Sequence, residues 1–121
     1  MSDKLLNTIN GGYARIFPGD EQDTTTINFN GTLKVMKDAK LWHATINAGG
    51  SLRVVGFAGH VEVQSGGILV VEDGGNVGSV TCWPGSHVTI STGGLVQSMH
   101  DLGCALTDNG LIKSRTYCKL C

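Results

Sequence analysis

Four residues near the C-terminus have the types and the spacing of a metal site. They follow the pattern His-x3-Cys-x13-Cys-x2-Cys and are His100, Cys104, Cys118 and Cys121. A Cys-x2-Cys pair presents two thiolates to one tetrahedral ion, and a further His and Cys complete the ligand set of many structural zinc sites. We therefore predict one structural Zn²⁺ held by these four residues, whose binding would stabilise a small fold.

The same cysteines allow two other interpretations, which the sequence leaves open. Unligated cysteines are commonly buried as small apolar side chains, and closely spaced cysteines also serve as redox pairs. Cys82 is only a reserve ligand, because one zinc ion cannot bridge the roughly 9.6 Å expected between stacked Cys82 and Cys118. Cys82, His100 and Cys118 are evenly spaced along the chain. Their interval equals the average repeat described below, so they would stack in one column of a repeating fold.

The N-terminal residues predict the compartment. They lack the basic region and the apolar region of a signal peptide, which predicts a cytoplasmic protein, made in the host cytoplasm if a phage encodes it. In that compartment the cysteines are expected to be thiols or metal ligands rather than disulfides.

Catalytic chemistry is not predicted. Enzymes that cleave polysaccharides need two or three carboxylates that converge in a cleft, and the acids of the central region do not recur at a fixed spacing. These acids are Asp38, Glu62, Glu72, Asp73, Asp101 and Asp108. His43 and His60 are separated by about one repeat and are expected to be stacked, solvated imidazoles rather than metal ligands.

The composition excludes several classes of protein. The 121 residues include 18 glycines but only 2 prolines, 40% are hydrophobic, 16% are charged, and the net charge is -1. Such a chain is too poor in charge for ordinary disorder and lacks the basic surplus of a nucleic-acid binder. No apolar run approaches the roughly 18 residues of a membrane span. We expect one soluble domain.

A repeat explains the glycines. Gly31, Gly50, Gly67 and Ser86 each begin a short segment, and the intervals between these anchors are nearly equal, with the middle interval slightly shorter than the other two. The third and fifth residues of every segment are large and aliphatic, which is the period-2 alternation of strands with one buried face. These pairs are Leu33/Val35, Leu52/Val54, Leu69/Val71 and Val88/Ile90.

Every unit has the same order of short strands and Gly-rich corners over roughly 18 residues, which favours a coil over an alternating meander. We predict an all-β chain: a single-stranded parallel β-solenoid of about five turns over residues 24–114. Residues 1–23 are expected to form an N-terminal cap and a loop, and residues 115–121 a Cys-containing tail packed on the last turn. A β-sandwich or barrel is the alternative.

Residues 47–98 contain Gly-Gly pairs followed by alternating Leu and Val, as in GGSLRVV and GGILVVE. This pattern resembles the repeats of autotransporter adhesin passenger domains of the diffuse-adherence type, which implies a right-handed β-helix. The valine-rich rhythm of the strands is also similar to that of bactofilins, small β-helices that polymerise end to end.

Two surfaces are candidates for binding. If Leu69 and Val71 point inward, their neighbours point outward and form an apolar patch with two residues of the preceding corner and strand. This predicted patch comprises Val55, Phe57, Ile68 and Val70. The second candidate is the basic C-terminal segment, with Lys113, Arg115, Tyr117 and Lys119.

These observations predict a non-catalytic interaction module. One hypothesis is a phage- or mobile-element-encoded inhibitor that docks on a host protein complex. The alternatives are a self-assembling scaffold of the bactofilin kind and a particle or surface component that binds glycans. The expected partner is a protein or a second copy of the chain, a glycan stays open, and no cofactor besides the zinc is predicted.

Overall fold

The computed structural model describes residues 8–9, 11–101 and 103–117, which form strands and turns without a helix. No apolar helix of membrane-spanning length occurs among them. The strands are β1 (Thr8–Ile9), β2 (Gly12–Ile16), β3 (Glu21–Ile27), β4 (Gly31–Val35), β5 (Lys40–Ile46), β6 (Ser51–Val54), β7 (Phe57–Val63), β8 (Ile68–Val71), β9 (Asn76–Cys82), β10 (His87–Ile90), β11 (Leu95–Asp101), β12 (Ala105–Asp108), β13 (Leu111–Ile112) and β14 (Arg115–Tyr117).

The strands stack in two parallel sheets. The odd-numbered strands form a long-strand sheet in chain order from β1 to β13, and β14 also pairs with β11. The even-numbered strands form a short-strand sheet in chain order from β2 to β12. Because the chain alternates between the sheets and each strand pairs in register with the next strand of its own sheet, it winds as a β-solenoid of about five turns. The predicted all-β solenoid is confirmed.

The core is a set of stacked aliphatic columns. The third residues of the predicted repeats, Leu33, Leu52, Leu69 and Val88, lie in register on adjacent short strands and are buried. Long strands such as β5 bury their second, fifth and seventh residues, so the third and fourth both face outward.

The corners depend on left-handed backbone conformations. Asn30 and Gly49 have φ angles of 63° and 80° at equivalent corners, where a residue without a Cβ, or an Asn, is favoured. One corner differs from its neighbours. Only Val55 and Gly56 separate β6 from β7, whereas four residues separate β8 from β9. This short corner explains why the middle interval between the sequence anchors is shorter than the other two.

The solenoid begins earlier than the sequence predicted. Residues 1–23 were expected to cap it, but β1 and β2 pair with β3 and β4 as members of the two sheets. Residues 21–23, the end of the predicted cap and loop, already belong to the strand β3. Its inward positions include Gln22 and Thr25, which are polar but buried. Because these inward residues are polar, β3 lacks the apolar alternation that would predict a strand. Backbone pairing with β5 nevertheless places it in the sheet.

Candidate functional site

An exposed aromatic pair lies beside the short corner. Trp42 occupies the outward third position of β5, and Phe57 is the first residue of β7. Their ring centroids are 5.6 Å apart at an interplanar angle of 71°, an edge-to-face contact. Trp42 is 43% exposed and Phe57 is half-buried.

Glycine makes room for the indole. Gly59 lies beside Trp42 on β7, between the registered pairs that flank it. A Cβ on Gly59 would lie 2.8 Å from the Trp42 carbonyl oxygen and 3.4 Å from Cε3 of its ring. Any larger residue at position 59 would displace the strand or the indole.

Polar neighbours hold the indole on its other side. The Nε1–H group of Trp42 donates a hydrogen bond of 3.0 Å to Oε1 of Glu21. Lys40 places its Nζ 5.7 Å from the centroid of the Trp42 ring, within the range of a cation–π contact. Glu21 and Lys40 are themselves in register on β3 and β5. The tryptophan is therefore exposed, yet it is contacted by side chains of both neighbouring strands.

A depression of about 350 Å³ adjoins the aromatic pair. It arises at the short corner, because two residues there replace the four found at neighbouring corners. The residues that line it are Lys37, Asp38, Ala39, Lys40, Val55, Gly56, Phe57 and Gly74. We call the depression together with Trp42 and Glu21 the Trp42 surface.

The histidine pair predicted from its spacing lies next to this surface. His43 and His60 are in register on β5 and β7, and their ring centroids are 4.9 Å apart. His43 is exposed and His60 is half-buried. Across the described part of the chain, no three His, Cys, Asp or Glu side chains are grouped to hold a metal ion.

The structure divides the predicted apolar patch between two places. Ile68 and Val70 face outward on β8 while Leu69 and Val71 are buried, as the alternation predicted. They lie on the outer face of the short-strand sheet. Val55 and Phe57 instead line the depression at the short corner.

The basic C-terminal segment is described only in part. Lys113 is exposed, and it follows β13 in the turn that leads to β14. β14 aligns Arg115 with Met99 and Tyr117 with Asp101 of β11. Lys119 lies outside the described residues, so this second surface stays a prediction.

The cysteines differ from the expectation of free thiols or metal ligands. Cys82 and Cys104 form a disulfide, and the described residues contain no free cysteine. The proposed column is also out of phase, because the local repeat at β9 and β11 is longer than the averaged repeat taken from the sequence. His100 pairs with Thr81 and Thr116, and Cys82 pairs with Asp101.

This pairing restricts the predicted zinc site. The Sγ atom of Cys104 is bonded to the Sγ atom of Cys82, so Cys104 can ligate a metal only after the disulfide is reduced. His100 is exposed on β11, while Cys118 and Cys121 lie outside the described residues. A zinc site with these four ligands stays a prediction for the reduced chain, tested by metal analysis of protein purified under reducing conditions.

Trp42 is not among the site residues predicted from the sequence. Its only signal in the sequence is the shortened interval between Gly50 and Gly67, which indicates a shortened corner, together with the glycine at position 59.

Comparisons with protein-family models, with curated proteins and with solved structures found no match to this chain.

Proposed function

We propose that the chain is a non-catalytic binding protein whose Trp42 surface contacts a protein partner. The observation that carries the proposal is an exposed tryptophan held in place by the Glu21 carboxylate on one side and the Phe57 ring on the other. Tryptophan is enriched among the residues that dominate protein interfaces. Few residues are better suited to supply contact energy.

The geometry favours binding because contacts on both sides restrict the Trp42 side chain. Immobilising a flexible side chain at an interface costs roughly 0.5–1.5 kcal/mol, and this cost is reduced where contacts in the free protein hold the rotamer. The adjacent depression provides a concave site for a partner side chain, with Lys37, Asp38 and Lys40 as polar groups at its wall. Aromatic centre and polar rim are the usual anatomy of an interface.

The fold supports a rigid platform rather than a catalytic cleft. Trp42, Phe57 and the depression lie on strands whose inward residues, such as Leu41 and Ala58, are fully buried in the core. Sites built on such strands are positioned more precisely than sites on loops. This rigidity fits recognition of a preformed partner surface.

A matched pair of tryptophans provides the test. Trp83 is 41% exposed, close to the 43% of Trp42, but it lies in the corner after β9. Affinity enrichment with quantitative mass spectrometry compares the wild type with Trp42→Ala and Trp83→Ala, and the enriched partner is then purified for titration. We expect Trp42→Ala to weaken its binding by at least about 2 kcal/mol, roughly thirtyfold in Kd.

The control variant decides the outcome. A partner whose affinity drops with Trp42→Ala but not with Trp83→Ala supports the proposal. Equal affinity for the wild type and Trp42→Ala overturns it. The partner could also be a second copy of the chain. Light scattering on the same variants would then show an oligomer of the wild type that dissociates in Trp42→Ala.

A further inference from the structure

A column of three cations lies on the outer face of the short-strand sheet, on different strands from those that carry the Trp42 surface. Arg15 of β2 is in register with Lys34 of β4, and Lys34 is in register with Arg53 of β6. Adjacent strands lie roughly 4.8 Å apart, so the three positions span roughly 10 Å. Arg15 and Arg53 are exposed and Lys34 is half-buried.

The direction of these side chains follows from the core. Leu33 and Val35, which flank Lys34, are fully buried, and so are Leu52 and Val54, which flank Arg53. Alternation along a strand then directs the residue between them to solvent. The cations form one outward ladder, which we call the basic ladder.

The strands of this face carry little negative charge. The sequences of β2, β4, β6, β8 and β10 contain no Asp or Glu. Asp108 on β12 lies three strands beyond Arg53. Asp20, Asp38, Glu72 and Asp73 lie in the corners that follow β2, β4 and β8 and not on the strands. These strands therefore place no acidic ladder beside the basic ladder.

Like charges directly opposite each other on neighbouring strands destabilise a sheet. The neighbouring coils show that this solenoid does not require charge here, because Val70 and Thr89 occupy the same column on β8 and β10. A local arrangement that opposes stability without a structural need commonly marks a functional site. An anionic ligand along the ladder would relieve the repulsion.

Two further features identify the chemistry of that ligand. The guanidinium of Arg15 lies 5.6 Å from the ring centroids of both Tyr13 and Phe17, so aromatic faces stand at one end of the ladder. Beside the cations runs a second column with hydroxyl groups, formed by Tyr13, Thr32 and Ser51 in register. Aromatic rings stack on the C–H faces of sugars, and hydroxyl groups hydrogen-bond to sugar hydroxyls.

We propose that the basic ladder binds an acidic linear polysaccharide, with one cation for each of about three consecutive sugar rings. The strand spacing of roughly 4.8 Å is comparable with the length of one ring in an extended polysaccharide. The phosphates of an extended single-stranded nucleic acid are farther apart. Binding along a nucleic acid also usually depends on a broader positive surface than three cations on a chain with a net charge of -1.

Size-defined oligosaccharides test the proposal by calorimetric titration. Heparin fragments supply sulfate groups, polygalacturonate fragments supply carboxylates alone, and dextran fragments of the same length supply no charge. We expect the wild type to bind at least one acidic fragment and not dextran. The two acidic arms identify which anionic group the ladder prefers.

The decisive variant is Lys34→Gln/Arg53→Gln, with Lys113→Gln as its control. Lys113 is exposed but follows β13 of the other sheet, so its substitution removes a charge away from the ladder. We expect the double variant to bind at least about tenfold more weakly, and its log K to depend less steeply on log salt, because fewer cations displace counterions from the ligand. Lys113→Gln should change the affinity by less than about twofold.

Three results would overturn the proposal: no binding to either acidic fragment, equal loss in the control variant, or tighter binding of a single-stranded oligonucleotide of equal charge at equal salt. Loss through misfolding is detected separately. Removing repulsive charges should leave the melting temperature of the double variant equal to or above that of the wild type. Failure here would leave the Trp42 surface unaffected, because that surface uses other residues.

Discussion

Cys82 and Cys104 are joined by a disulfide that spans a Cα–Cα distance of 5.6 Å and a sequence separation of 22 residues. Cys82 is the fully buried last residue of β9, and Cys104 lies in the corner before β12. The bond therefore ties one coil of the solenoid to the corner of the next. It joins the end of β9 in the long-strand sheet to the corner between β11 and β12, near the C-terminal end of the described chain.

We predict that Cys104→Ser lowers the free energy of unfolding by about 2–4 kcal/mol, because a cross-link across a loop of this length restricts the unfolded chain. Urea denaturation without reductant measures the change. Reductant should lower the wild type to the level of the variant and leave the variant unaltered. A wild type that is insensitive to reductant would contradict the prediction.

The oxidation state also bears on the predicted location. Disulfides persist mainly in oxidising compartments, whereas the N-terminal composition predicted a cytoplasmic protein. Acid quenching of intact cells, then alkylation of the denatured protein and a count of modified cysteines, tests these two expectations against each other. Modification of Cys82 and Cys104 before any reduction would show that the thiol form predominates there.

A buried hydroxyl provides a second prediction. Thr25 on β3 is fully buried, and its Oγ1 has no hydrogen-bond partner among the described residues. We expect Thr25→Val to raise the free energy of unfolding by about 1 kcal/mol, because a methyl group of similar size replaces an unsatisfied polar atom. Thermal or urea denaturation measures the change.

The matched control for this substitution is Thr45→Val. Thr45 is half-buried and faces outward on β5, in register with Thr26 and Glu62. Its replacement should alter stability by no more than about 0.5 kcal/mol. Destabilisation by Thr25→Val would show that the hydroxyl has a partner that matters for the fold.

The solenoid could be predicted from the sequence because each regular coil repeats the same pattern of residues. Equivalent positions in two coils are therefore expected to pair. Leu52 and Leu69 follow glycine anchors at the same offset, and the structure pairs them. Apolar alternation and small corner residues are local signals that repeat, so each coil supports the prediction for the next.

The site was less predictable because it arises where the repeat is broken. The shortening of the corner to Val55 and Gly56 brings Phe57 close to Trp42. This contact joins two coils, so no local sequence pattern predicts it.

The averaged repeat also predicted that Cys82 lies beside His100. The longer local repeat instead pairs Cys82 with Asp101, and the Cys82 side chain is buried in the core.

Gly78 tests how closely the coils approach beside the Trp42 surface. A Cβ at this position would lie 2.6 Å from the carbonyl oxygen of Gly59, a backbone atom that cannot rotate away. We predict that Gly78→Ala lowers the free energy of unfolding by about 1–3 kcal/mol through overpacking. Urea denaturation of the purified variant gives the value.

Gly19→Asn is the control. Gly19 is favoured by its positive φ angle and not by a close neighbouring atom. Gly19 has a φ of 87° with no atom within 4 Å of a Cβ position, and Asn30 already adopts a φ of 63° at another corner. Asn tolerates this region, so the cost should stay below about 1 kcal/mol. A larger cost at Gly19 than at Gly78 would contradict the close-approach argument.

The basic ladder makes a prediction about stability that needs no ligand. Lys34 lies between two guanidinium groups in register, so Lys34→Glu converts two repulsive cross-strand pairs into two attractive ones. Cross-strand pairs contribute roughly 0.2–1 kcal/mol each, and we expect the variant to gain about 1 kcal/mol in the free energy of unfolding.

Added salt should stabilise the wild type and not the variant, because salt screens the repulsion in the wild type and the attraction in the variant. Lys113→Glu, which changes the same charge away from the ladder, should show neither effect. If Lys34→Glu melts at or below the temperature of the wild type at low salt, the three cations do not repel one another in the free protein.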